Sequence, residues 1–219
     1  MTEAEWLTAT DPTPMLEFLS GKASDRKLRL FACACCRRIW HLITEEGSQN
    51  AVATAERMSD EQVTDDERWG VMVEAQYMPD NAANAAYNSL CSFPDYPDRT
   101  ARQATWAVAN ETEAHQLSEA LNPAWEHKRL SECLKQAVDL RDIFGNPFRP
   151  STIDPSCLTS SVHVLATGIY ADRTFDRLPI LADALQDAGC DNEEILQHCR
   201  GPGPHARGCW AVDLLLGKE

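Results

Sequence analysis

An all-α fold follows from three features of the 219-residue sequence. Apolar side chains recur at steps of three and four, capping signals punctuate the chain, and no run alternates as a half-buried strand requires. The expected architecture is an irregular multi-helix bundle around a central long helix, about 25–46. A C-terminal helical subdomain is expected to pack against it.

Each element has its own signal. Thr2-x-x-Glu5 reads as a capping box, in which hydroxyl and carboxylate satisfy reciprocal amides at a helix start. A short helix over Pro14 to Leu19 should stop at Gly21. Ser24 caps the long helix, whose stripe Leu28, Ala32, Cys35, Ile39 and Leu42 is widened by Phe31, Cys36, Trp40 and Ile43. Ser48 is expected to cap the next helix, through Met58. Thr64-x-x-Glu67 opens another, to about Tyr77, and Asn81 to Leu90 is Ala-rich and helical.

The prolines in Ser92 to Asp98 interrupt that pattern. A helix from Asp98 or Thr100 to near Leu121 should follow. Asn122-Pro123 then reads as an N-cap and first helical position, with Gly145 ending that helix after Phe144. Val162, Leu165, Ala166 and Ile169 share one helical face; Leu178, Leu181, Ala182 and Leu185 share another, closed at Gly189. Asp191-x-x-Glu194 is expected to box a short helix through Cys199. The last helix, with Trp210 and Leu214 to Leu216, is apolar nearly all round. The expected organisation is an N-terminal helical part at 1–144, a packed Pro-rich connector at 145–158 pinned by Phe148, and a C-terminal helical part at 159–219. Together these should form one globular unit.

Composition narrows the function classes. A net charge of −14, from 34 acids and 20 bases, repels phosphate backbones and argues against a nucleic-acid partner. No stretch of eighteen apolar residues exists, which argues against a membrane span. The acidic start Met1-Thr2-Glu3-Ala4-Glu5-Trp6 lacks the features of a secretory leader. Nine cysteines, an odd number with Cys35 and Cys36 adjacent, do not make a disulfide framework; a reducing, cytoplasmic setting is expected.

Three blocks then stand together: Met1 to Ile43 with its core Phe31-Ala32-Cys33-Ala34-Cys35-Cys36-Arg37-Arg38-Ile39-Trp40; Arg141-Asp142-Ile143-Phe144-Gly145-Asn146-Pro147-Phe148-Arg149-Pro150; and Phe175 to Glu219. In these blocks the chain resembles a family of uncharacterised bacterial proteins. The resemblance spans most of the chain, least in 48–120, and implies no activity, cofactor or catalytic residue.

Four groups of residues suggest chemistry. Cys190, Cys199, His205 and Cys209, with His198 as an alternate, offer thiolate and imidazole ligands for a tetrahedral zinc ion. Against that, no Cys-x-x-Cys pair occurs here, and the thiols would serve equally as core residues. Cys33 and Cys36 have redox spacing, but lie two turns inside their helix, beyond the reach of the helix dipole; packing is the better reading. Lys22, Arg26, Lys27, Arg29, Arg37 and Arg38 form a basic run with only Asp25 among them. Arg26, Arg29 and Arg37 can share a face and grip an anion, or pair with the acids at Glu56, Asp60, Glu61 and Asp65 to Glu67. Arg200 and Arg207 flank a Gly-Pro turn that could present amides and guanidinium groups to an anion.

His41 and His163 read as helix-face residues, and no nucleophile elbow or His-Glu-x-x-His pair occurs. The expectation is therefore a non-enzymatic helical interaction or scaffold domain, without a cofactor, whose partner is another protein. Zinc binding at the C-terminal cluster is the first alternative. An anion-binding protein or enzyme built on the Arg200–Gly208 loop is the second.

Overall fold

The computed structural model describes residues 1–61, 63–75, 81–91, 96–109 and 123–218. Among them are twelve α-helices and no strand, so the all-α expectation holds. No helix among the described residues is long and apolar enough to cross a membrane. The chain divides into two compact units, Met1–Leu140 and Arg141–Glu219. The 145–158 segment lies wholly within the second.

The first unit begins with α1 (Glu3–Thr8) and α2 (Pro12–Leu19). The Thr2 capping box forms as expected: the Thr2 amide donates to Glu5 Oε2 at 2.7 Å, and the Glu5 amide donates to Thr2 Oγ1 at 3.3 Å. Asp11 caps α2, placing its start ahead of the expected Pro14.

Ser24 caps α3 (Asp25–Arg38) by accepting the Lys27 amide. This helix packs against α4 (Glu46–Met58), α6 (Asn81–Ser89) and α7 (Tyr96–Ala109), which makes it central to its unit. Leu30, Phe31, Ala32, Cys33, Cys35 and Cys36 are all buried on it. Full burial of each large side chain contributes about 1.5–3 kcal/mol.

The long helix does not run to residue 46. It ends at Ile39 (φ −97°, ψ 22°), and a single 3-10 turn, Trp40–Leu42, carries the chain on. The run from Ile39 to Thr44 holds β-branched and aromatic residues, which lose rotamer freedom in a helix. The break still buries Ile39 and Ile43. Ser48 is consequently not a cap but a buried residue inside α4, which begins after Glu45.

Thr64 caps α5 (Asp65–Ala75). The expected end near Tyr77, residues 92–95 of the Pro-rich break, the helix end near Leu121 and the Asn122 cap lie outside the described residues. α7, however, begins at Tyr96, inside the expected 92–98 break and ahead of the expected Asp98 or Thr100, with Pro97 tolerated in its first turn. Pro123 opens α8 (Pro123–Phe144), and Gly145, at φ +61°, ends it. The unit boundary falls within α8, after Leu140.

The second unit contains the last turn of α8 together with α9 (Ser160–Asp172), α10 (Leu178–Asp187), α11 (Glu193–Arg200) and α12 (Trp210–Leu216). Its core joins Val162, Ala166 and Ile169 to Leu178, Leu181, Ala182 and Leu185, and on to Ile195, Val212 and Leu215. The expected faces of α9 and α10 are thus the ones buried.

Two details differ from expectation. Asn192, not Asp191, caps α11, accepting from the amides of Glu194 and Ile195. An Asn carbonyl reaches those amides as well as a carboxylate does, and the Glu194 side chain instead takes the Ser151 hydroxyl. Phe148, expected to pin its loop, is 36% exposed and is not the most deeply buried residue of that loop. Buried Cys157, Ile153 against the core and the Asn192 amide on the Thr152 carbonyl at 2.9 Å hold it.

Candidate metal centre

Four potential ligands converge inside the second unit. The α8 terminus brings Asp142, α11 brings His198, the Gly-Pro turn brings His205, and the residue before α12 is Cys209. One ligand atom from each lies within 4.8 Å of the others. Cys209 is fully buried, and the side chains of Asp142, His205 and His198 are 4%, 9% and 18% exposed.

Asp142 is the hub. Its Oδ1 is 2.6 Å from His205 Nδ1 and 3.3 Å from His198 Nε2, and its Oδ2 accepts the Ala206 amide at 2.9 Å. Burial alone would push this carboxyl up. Hydrogen bonds from the two histidines, and their charge, outweigh that effect and hold it below the ordinary aspartate value. With Asp142 ionised, a neutral His205 ring donates through Nδ1, which leaves Nε2 as a bare lone pair. That nitrogen is buried and has no hydrogen-bond partner.

His198 Nε2 also lies 3.0 Å from Cys209 Sγ. On its far side, the Trp210 indole N–H donates to Nδ1 at 3.1 Å. The His198 ring centroid is 4.8 Å from those of both His205 and Trp210. Gly145 makes room for the indole: a Cβ there would meet Trp210 Cγ at 3.1 Å.

Cys209 is a thiol under opposed influences. Burial pushes its pKa well up and the Asp142 charge adds to that, while the amides of Val212 and Ala211 pull it down. A divalent cation would reverse the balance, because a coordinated thiol is deprotonated outright. The charge then closes: one carboxylate and one thiolate against a 2+ ion in a nearly dry site. In tetrahedral coordination, metal–nitrogen bonds of about 2.0–2.1 Å set neighbouring ligands about 3.3 Å apart. The Asp142–His205, His198–Cys209 and Asp142–His198 contacts, at 2.6, 3.0 and 3.3 Å, are equal to that or shorter, so hydrogen bonds bridge spacing that an ion would hold open.

Of the residues the sequence marks for zinc, His198, His205 and Cys209 come together here. Cys190 and Cys199 lie in the hydrophobic core, and burial pushes Cys199 up to about 12. Asp142 joins the group in place of a third thiol. The α3 thiols are all buried, and desolvation raises Cys33, Cys35 and Cys36 alike, consistent with packing.

The arginines marked for anions are engaged internally. Arg26 pairs with Asp60 at 3.1 Å, and Arg37 grips Glu56 at 3.0 and 2.7 Å while stacking on Trp40. Burial holds the Arg29 guanidinium below its usual value. Arg200 binds Asp183 and Gln186, and Arg207 lies over the Tyr170 ring. The first three belong to one unit and the last two to the other.

Comparison with family models, with curated proteins and with solved structures finds no match, so the chemistry of these four side chains has to carry the functional argument.

Proposed function

We propose that the second unit is a metal-binding module holding one zinc-type divalent ion on Asp142, His198, His205 and Cys209. The observation that carries this reading is the convergence of four donor atoms of the right kinds within 4.8 Å, three from residues 198–209 and one from Asp142, far off in the chain. Nitrogen, sulfur and oxygen donors in this combination suit zinc or cobalt better than magnesium or calcium. Near-complete burial favours a structural ion that ties α8, α11 and α12 together over an open catalytic one.

Elemental analysis of the purified protein tests the metal-binding reading. About one equivalent of zinc per chain is expected, lost in Cys209→Ser and Asp142→Asn. Metal content near zero after zinc reconstitution would end the proposal.

A protein-interaction role for the first unit is the second reading. Trp69 on α5 is 66% exposed, and Val73, one turn on, is 37% exposed, an apolar pair set among acids. Trp69→Ser should abolish co-purification of a partner with the tagged chain; unchanged co-purification would remove this reading.

A further inference from the structure

Metal coordination makes a demand on His198 that its present hydrogen bonds do not meet. An indole N–H can only donate, so Trp210 Nε1–H on His198 Nδ1 requires a lone pair at Nδ1. The neutral ring then carries its proton on Nε2, the nitrogen facing Cys209 Sγ and Asp142 Oδ1. A ring that ligates through Nε2 needs the opposite tautomer, with the proton on Nδ1. Two donors would then face each other across 3.1 Å.

Resting on the metal-binding reading above, we infer that Trp210 is a latch on the site: it holds His198 in the non-ligating tautomer, and loading releases it. The proton balance is simple. Coordination removes the Nε2 proton and the Cys209 thiol proton to solvent and Nδ1 takes one up, so the ring stays neutral and one proton is released net. The Trp210 hydrogen bond is lost in the process. Trp210 has little freedom to withdraw, because its ring lies against the Gly145 turn, three residues from Asp142. The latch therefore lowers affinity for the ion, because the loaded state loses this hydrogen bond, and Trp210 is a positioning residue rather than a ligand.

The test compares wild-type protein with Trp210→Phe, which keeps a ring on Gly145 and deletes the indole donor. Chelator-stripped samples are titrated with cobalt(II) and zinc(II) against a chromophoric competitor, with helix content checked by circular dichroism. The expected result is tighter binding by Trp210→Phe, by about three- to tenfold, the worth of one neutral hydrogen bond. Nitrogen-15 NMR of wild-type His198 supplies a readout that does not depend on the variant folding. It should show the proton on Nε2 in stripped protein and on Nδ1 after zinc is added. Equal or weaker binding by folded Trp210→Phe, or a His198 tautomer unchanged by loading, overturns the latch and spares the metal site. Failure of both proteins to take up either ion overturns both.

Discussion

Sulfur is used in opposite ways at the two ends of this chain. On α3, Cys33, Cys35 and Cys36 are buried, and Cys33 Sγ lies 4.0 Å from the Val52 carbonyl. At the start of α12, Cys209 is buried just as deeply, but His198 lies 3.0 Å away and Asp142 and His205 lie behind it. Burial raises every one of these thiols. What would separate a metal ligand from a small hydrophobe is the company of lone pairs, which Cys209 has and which one helix face does not supply.

The largest effect that would sharpen this contrast is on metal content. Asp142→Asn or Cys209→Ser should weaken zinc binding on the order of 100-fold or more, while Cys36→Ala leaves it unchanged. Competitive chelation measures both, and equal losses would erase the distinction between the two regions. Next in size, Cys35→Ser puts a hydroxyl where apolar packing is complete. It should destabilise by about 1–3 kcal/mol in denaturant unfolding, with zinc affinity intact.

Acid should also separate the regions, through two carboxylates on α8. Glu132, beside Arg38 at 3.0 Å, is raised by burial despite that cation; Asp142 is lowered. A raised folded pKa means the folded state binds the proton more tightly. The Glu132 contribution therefore improves as pH falls from neutral towards about 4.3 and worsens on the way back. The Asp142 contribution is fully present above about 3.9 and is lost as pH falls through its depressed value. Hydrogen exchange on stripped protein should show protection around Glu132 rising as pH falls from neutral towards about 4.3, with none of that change around Asp142. Glu132→Gln should flatten the slope. The smallest effect is chemical: brief native alkylation should mark Cys91 first, since it alone of the nine thiols is not buried, and early labelling of Cys33 or Cys35 would contradict their packing role.

Helix periodicity made most of the fold legible. Ser24, Gly145 and the faces of α9 and α10 stand where spacing puts them, because those signals are local and the burial they imply is one-sided. The end of α3 was less legible: apolar spacing continues through Ile39 and Ile43, and only the poor helix propensity of that stretch marks the break. At the site, His198, His205 and Cys209 were visible as a cluster in the chain. Asp142 was not, because it stands 56 residues before His198. A signal did exist. A carboxylate in the last turn of a helix opposes the helix dipole, and an acid kept there beside a glycine stop invites a search for the donors that compensate it.

The turn at Gly145 carries a consequence for genetics. Alanine there would touch no ligand, yet its methyl would press on the indole that bonds to His198, and its backbone would resist the positive φ. If the site holds zinc as proposed, such an allele would alter zinc binding from a position outside the coordination sphere. A screen scored only on ligand residues would pass over it.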